Sequence, residues 1–110
     1  MDSELRDRLT RGLVDSIAET QQRSGRERQD IREDTIPFLD LACFDSHNGV
    51  EVEVLLSERL GVEIEDIPFH EGRRGSRELR VGEIVNILIS KHGATIRAAL
   101  DSRREELVTN

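Results

Sequence analysis

Asp45-Ser46-His47 opens the one segment of this chain whose residue types suit a phosphate ester. A serine ahead of a periodic apolar run stands where a helix N-cap is expected, because its oxygen can accept from the free amides of the first turn. The same placement leaves a hydroxyl at the positive end of a helix, where an anion such as a phosphate is favoured. Ser46 therefore has two expected roles, cap and point of attachment. Downstream, Glu51, Glu53 and Glu58 make the segment acidic, while Val50, Val54 and Leu60 lie near one helical face, widened by Val52, Leu55 and Leu56.

Other chemistry is sparse. His47, His70 and His92 form no close-spaced ligand pair and no His-Glu-x-x-His occurs, so no zinc site is expected. No glycine-rich phosphate cradle, nucleophile elbow or triad can be assembled, so the expectation is a non-catalytic protein. Cys43 is the single cysteine, which rules out an intramolecular disulfide. Its thiol is expected to be buried. Arg73-Arg74-Gly75-Ser76-Arg77 is a small basic cluster that fits a solvated loop, with contact to an anionic partner as the alternative.

The elements that must position Ser46 are mostly helical. Leu5, Leu9, Leu13 and Ile17, with Val14 beside them, give a first amphipathic helix that Asp2 or Ser3 can cap. The apolar signal vanishes from about Thr20 to Asp34, which is expected as a helix end and a long solvated loop; the alternative is a polar extension of the helix through Arg28. Thr35 to Phe44 is expected as an ordered loop anchored by Phe38, Leu41 and Phe44, since Pro37 blocks a helix arriving from upstream. Ser46 to Gly61 is expected as a helix, the valine alternation from Val50 to Val54 leaving a strand as the alternative. Asn48-Gly49 weakens its start. Val62 to Phe69 is a short connector with room for one helical turn. After a polar loop from His70 to Arg80, Val81, Ile84, Val85, Leu88 and Ile89 form a last core helix ending at Lys91-His92-Gly93. The tail beyond, with Ile96, Leu100 and Leu107, is expected to be helical, a flexible tail being the alternative.

The 110 residues fit a single domain (1–93) followed by a C-terminal extension (94–110), in an all-α up-and-down bundle without a convincing sheet. Apolar and charged residues each make up 35 %, and there are three phenylalanines and no tyrosine or tryptophan, so Leu, Ile and Val must build the core. A net charge of −7 repels nucleic-acid backbones and suits partners with basic docking patches. The sparse aromatics also exclude a stacking platform for single strands. No run reaches membrane-spanning length and Met1-Asp2-Ser3-Glu4 is not the start of a signal peptide, so a cytoplasmic monomer is expected.

Asp45-Ser46, Val50-Glu51, Leu56, Glu58 and Leu60-Gly61-Val62-Glu63-Ile64 together resemble the second helix of acyl carrier proteins, and Arg80-Val81-Gly82-Glu83-Ile84-Val85 resembles the start of that family's final helix. Leu5 to Ile17 fits its first. The resemblance covers roughly residues 3–92, and its specificity lies in the order of the pieces. It implies a bundle of three main helices plus a short helical turn, here with a long first loop and an added C-terminal helical tail. It implies 4′-phosphopantetheine on Ser46, with Asp45 helping to position the serine, installed from coenzyme A by a phosphopantetheinyl transferase with magnesium. Acyl-processing enzymes with basic patches would then dock on Glu51, Glu58 and His47, with Glu53 as a local addition. Val50, Val54 and Leu60 would line an interior acyl-chain pocket. His47 stands where the family has leucine. The contrasting expectation is an unmodified acidic docking module of the same shape, with Ser46 only an N-cap.

Overall fold

The structure, a computed structural model, describes residues 3–26, 29–41, 43–71 and 77–108, the stretch 103–108 as backbone alone. Among the described residues, four helices, α1 (Ser3–Arg23), α2 (Pro37–Asp40), α3 (Ser46–Leu60) and α4 (Val81–Val108), form an all-α bundle with one added two-stranded hairpin of β1 (His70–Glu71) and β2 (Arg77–Glu78). The hairpin is antiparallel, pairing His70 with Glu78 and Glu71 with Arg77. No sheet was expected from the polar loop sequence; the strands are too short for a period-2 pattern to register.

α1 is the central element, packing on both α3 and α4, which touch each other far less. Its four-residue repeat works as the sequence implies: Leu5, Leu9, Leu13 and Ile17 are all buried in the core. Close approach to α3 needs a small residue at Gly12, where a Cβ would stand 3.1 Å from Leu56 Cδ1. The helix ends at Arg23, between the two expected end points, with Gly25 in the left-handed conformation two residues on. Asp2, Arg28 and the run Arg73-Arg74-Gly75-Ser76 lie outside the described residues, as does the side chain of Leu107.

The stretch expected as a plain loop from Thr35 to Phe44 contains α2, with Pro37 at the start of the helix, where its missing N–H costs nothing. Leu41 and Phe44 are buried and Phe38 half-buried, as anchors should be. Cys43 is exposed rather than buried, since a left-handed backbone (φ 54°) turns it away from the core between those anchors. The expected helical turn in Val62–Phe69 is absent. That connector is irregular, sinks Ile64, Ile67 and Phe69 into the core, and is pinned by the Ile64 N–H donating to Ser57 Oγ at 2.9 Å.

α4 does not stop at Lys91-His92-Gly93 but runs on through Val108. Gly93 is interior to the helix, and Ile96 and Leu100 beyond it are core residues. Their burial overrides a local stop signal. The boundary expected at residue 93 therefore falls inside a continuous helix that packs on both sides of it.

Candidate functional site

Asp45, not Ser46, caps α3. Its backbone is extended, its Oδ1 accepts from the amides of His47 and Asn48 at 3.0 and 3.1 Å, and the Asp45 N–H donates back to Asn48 Oδ1 at 3.1 Å. This closes a reciprocal capping box with Asn48 in the role usually filled by Glu or Gln. The sequence expectation that Ser46 is the cap is thereby corrected. A carboxylate acceptor one residue earlier satisfies the first-turn amides, and Ser46 becomes the first helical residue, exposed, with its hydroxyl outside the capping box.

Asn48 and Gly49, expected to weaken the helix start, have specific work there. Asn48 is 3 % exposed, and its Oδ1 also lies 3.4 Å from Arg26 Nη1, which donates to Gln21 Oε1 at 2.7 Å. The end of α1 is so tied to the start of α3, the half-buried Arg26 bridging the buried side chains of Gln21 and Asn48. Gly49 makes room for an aromatic ring, since a Cβ there would be 3.1 Å from Phe69 Cε2.

Val50 and Val54 do not line the interior. They are 58 % and 54 % exposed, whereas Leu60 is buried. The inward face of α3 is Asn48, Gly49, Val52, Leu55, Leu56 and Leu60. At 100° per residue that face is centred almost opposite Val50 and Val54. This rotation places Gly49 against the Phe69 ring and Asn48 within reach of Arg26.

The outward valines line two adjoining grooves between α3 and the connector. The first, about 140 Å³, is walled by Ser46, Gly49, Val50, Glu53, Phe38 and the Ile67–His70 stretch. The second, about 340 Å³, continues from Val50 and Glu53 past Val54 and Ile64 to Glu58, Glu63 and Glu65. Glu53 also fixes the connector, accepting from the Asp66 N–H at 2.8 Å. Like-charge crowding raises the Glu65 carboxyl above its ordinary range, chiefly through its hydrogen bond with Glu63 and then that group's charge. Glu51 is half-buried 3.7 Å from His47 Nε2, Glu58 is exposed, and the His47 side chain is 84 % exposed.

The structure thus brings Ser46, Val50 and Glu53 to one groove, sets Val54 and Glu58 further along it, and leaves Leu60 in the core. Sequence reasoning missed Phe38, Phe69 and His70 as groove walls. A glycine in the first turn of an otherwise bulky helix was the available signal, since it marks close approach by a distant group. Among the described residues no group of three or more His, Cys, Asp or Glu is placed to hold a metal ion, and no helix is long and apolar enough to cross a membrane. No family model, curated protein or solved structure matches the chain.

Proposed function

We propose that the protein is a carrier of the acyl-carrier type, bearing 4′-phosphopantetheine on Ser46 and presenting thioester-bound acyl groups to enzymes of a fatty-acid, polyketide or related pathway. One observation carries this reading: Ser46 is an exposed serine at the first position of a fifteen-residue helix whose capping bonds are made by other residues. Its hydroxyl is therefore available to chemistry, at the end of the helix that favours a phosphate. In the transfer, the Ser46 oxygen attacks the coenzyme A phosphorus that bears the pantetheine arm. The new O–P bond replaces the pyrophosphate P–O bond, adenosine 3′,5′-bisphosphate leaves, and the hydroxyl proton passes to a base of the transferase.

Asp45 serves this reaction as a positioning residue, because its cap sets the first turn that holds Ser46. Glu51, Glu53 and Glu58 give α3 an acidic outer face for basic docking patches, and Val50 and Val54 add apolar contact there rather than lining an interior pocket. An exposed imidazole at His47, in place of the leucine that the resemblance leads one to expect, selects a different partner surface. The arm holds its cargo at high effective concentration near whichever enzyme is docked, and the carrier itself performs no catalysis. The reading places the protein in a compartment that supplies coenzyme A, the cytoplasm being the expected one. The contrasting reading, an unmodified docking module in which Ser46 is only a cap, loses its account of the serine because Asp45 makes the cap.

The test is intact-protein mass after incubation with coenzyme A, magnesium and a broad-specificity phosphopantetheinyl transferase. A gain of one phosphopantetheinyl group, absent in Ser46→Ala, is expected. No gain with that transferase or with the host's own sinks the carrier reading.

A further inference from the structure

The hairpin supplies a group lining the same groove as Ser46 that nothing in the family resemblance supplies. The chain passes from the connector at Phe69 into β1 at His70, and just outside the strands the Leu79 N–H donates to the Phe69 carbonyl at 2.8 Å, with Leu79 itself fully buried. Phe38 stacks on Phe69 with ring centroids 5.5 Å apart and planes within 7°, and Phe44 packs against both. The His70 ring rests 5.6 Å from Phe38, tilted by 60°. An aromatic cluster thus holds the imidazole at one wall of the groove of about 140 Å³ that Ser46 also lines.

The chemistry of that groove is uneven. Phe38, Val50, Ile67, Pro68 and Phe69 make it apolar, and Glu53, the one carboxylate among the described lining residues, is engaged by the Asp66 amide. Among the described residues, His70 is the single one lining the groove that is able to carry positive charge or to donate through a ring N–H to an anion. The carboxylates of Glu71 beside it and Glu78 across the hairpin belong to the same strands, and Glu53 faces it from α3. The groove has the liquid volume of about five waters. It therefore admits the phosphate and the branched gem-dimethyl carbon next to it, not a whole arm.

Resting on the carrier reading, we propose that this groove seats the phosphate-proximal part of the arm on Ser46, with the His70 imidazole hydrogen-bonded to a phosphodiester oxygen and the geminal methyls against Phe38 and Val50. His70 is a binding residue for the modified form, and the arm leaves Ser46 along the outside of α3 rather than into the bundle.

The experiment compares unloaded and loaded full-length protein by NMR after intact mass has verified the loading. The expected result is displacement of the His70 and Phe38 ring resonances on loading, with nuclear Overhauser contacts from the arm's geminal methyls to Phe38 and Val50. His70→Gln, which keeps a side-chain N–H donor, is expected to retain those contacts, and His70→Ala to lose the displacement of the arm's phosphorus signal. Loaded protein whose His70 and Phe38 signals match the unloaded form overturns the proposal while leaving the carrier reading intact, as do methyl contacts to Val52 or Leu60 in the core. Failure to load at all removes the carrier reading itself, and this proposal with it.

Discussion

Asp45 and Ser46 are adjacent, and the division of labour between them is sharp enough to measure. Because Asp45 accepts from two first-turn amides, Asp45→Ala is expected to cost about 1 kcal/mol in chemical denaturation. Ser46→Ala, which removes no capping bond, is expected to stay within about 0.5 kcal/mol of the parent. Equal losses at the two positions would mean that the serine shares the cap. Two other carboxylates respond to pH in opposite senses. The bond from the Arg80 amide, followed by that from Arg77, holds Glu83 below its ordinary 4.5, so its contribution to stability is complete above that pH and is lost as pH falls through its lower folded value. Glu65, raised above 4.5 by its bond to and charge repulsion from Glu63, contributes below that pH and loses the contribution as pH rises through its folded value. Urea melts between about pH 3 and 8 are expected to show Glu83→Gln flattening the loss at the acid end and Glu65→Gln flattening the loss on leaving it.

At the scale of elements, two interior helical glycines predict opposite outcomes for one substitution. Ala gains up to about 1 kcal/mol over Gly in a helix interior. At Gly93 the new methyl would meet Ile89 Cγ2 at 3.5 Å and Leu5 Cδ2 at 3.8 Å, which are ordinary contacts, so Gly93→Ala is expected to raise the midpoint of thermal unfolding. At Gly49 the methyl would stand 3.1 Å from Cε2 and 3.3 Å from Cδ2 of the buried Phe69 ring, itself stacked on Phe38. Overpacking of this kind costs about 1–3 kcal/mol and outweighs the helical gain, so Gly49→Ala is expected to destabilise. It is also expected to disturb the groove beside Ser46, since the displaced ring is one of its walls. A stabilised Gly49→Ala variant would contradict the packing described for the α3 start.

For the whole molecule, the decisive feature is α4. A helix of 28 residues rises about 42 Å, close to the 45 Å longest extent of the chain. Ile96, fully buried beyond the apparent stop at Gly93, makes its second half part of the core. Ile96→Ala is expected to cost about 2–5 kcal/mol by equilibrium denaturation, the range for deleting a buried aliphatic side chain. A cost near zero would return residues 94–110 to the status of an appendage. The net charge of −7 acts at this scale too: on the carrier reading, it steers partners with basic patches toward the molecule before any one contact forms.

Much of this fold is legible in the sequence where signals are local. The four-residue repeat from Leu5 to Ile17 specifies both a helix and the face it buries, because no competing apolar stripe is present. The start of α3 near Ser46 and its end at Gly61, left-handed at φ 71°, follow from turn chemistry alone. Apolar residues on both sides of α3 left its rotation open, and only packing against Phe69, Arg26 and α1 turned Val52 and Leu56 inward and Val50 and Val54 out. The hairpin and the passage of α4 through Gly93 were decided the same way. Helix initiation rests on hydrogen bonds within one turn, whereas the choice of buried face and the override of a stop signal depend on contacts between residues far apart in the chain. The sequence by itself therefore determined where the three long helices begin and that a serine opens one of them. The structure resolved the local choice of cap in favour of Asp45, which leaves the serine hydroxyl over, and tertiary packing alone decided that an aromatic groove with His70 stands beside it.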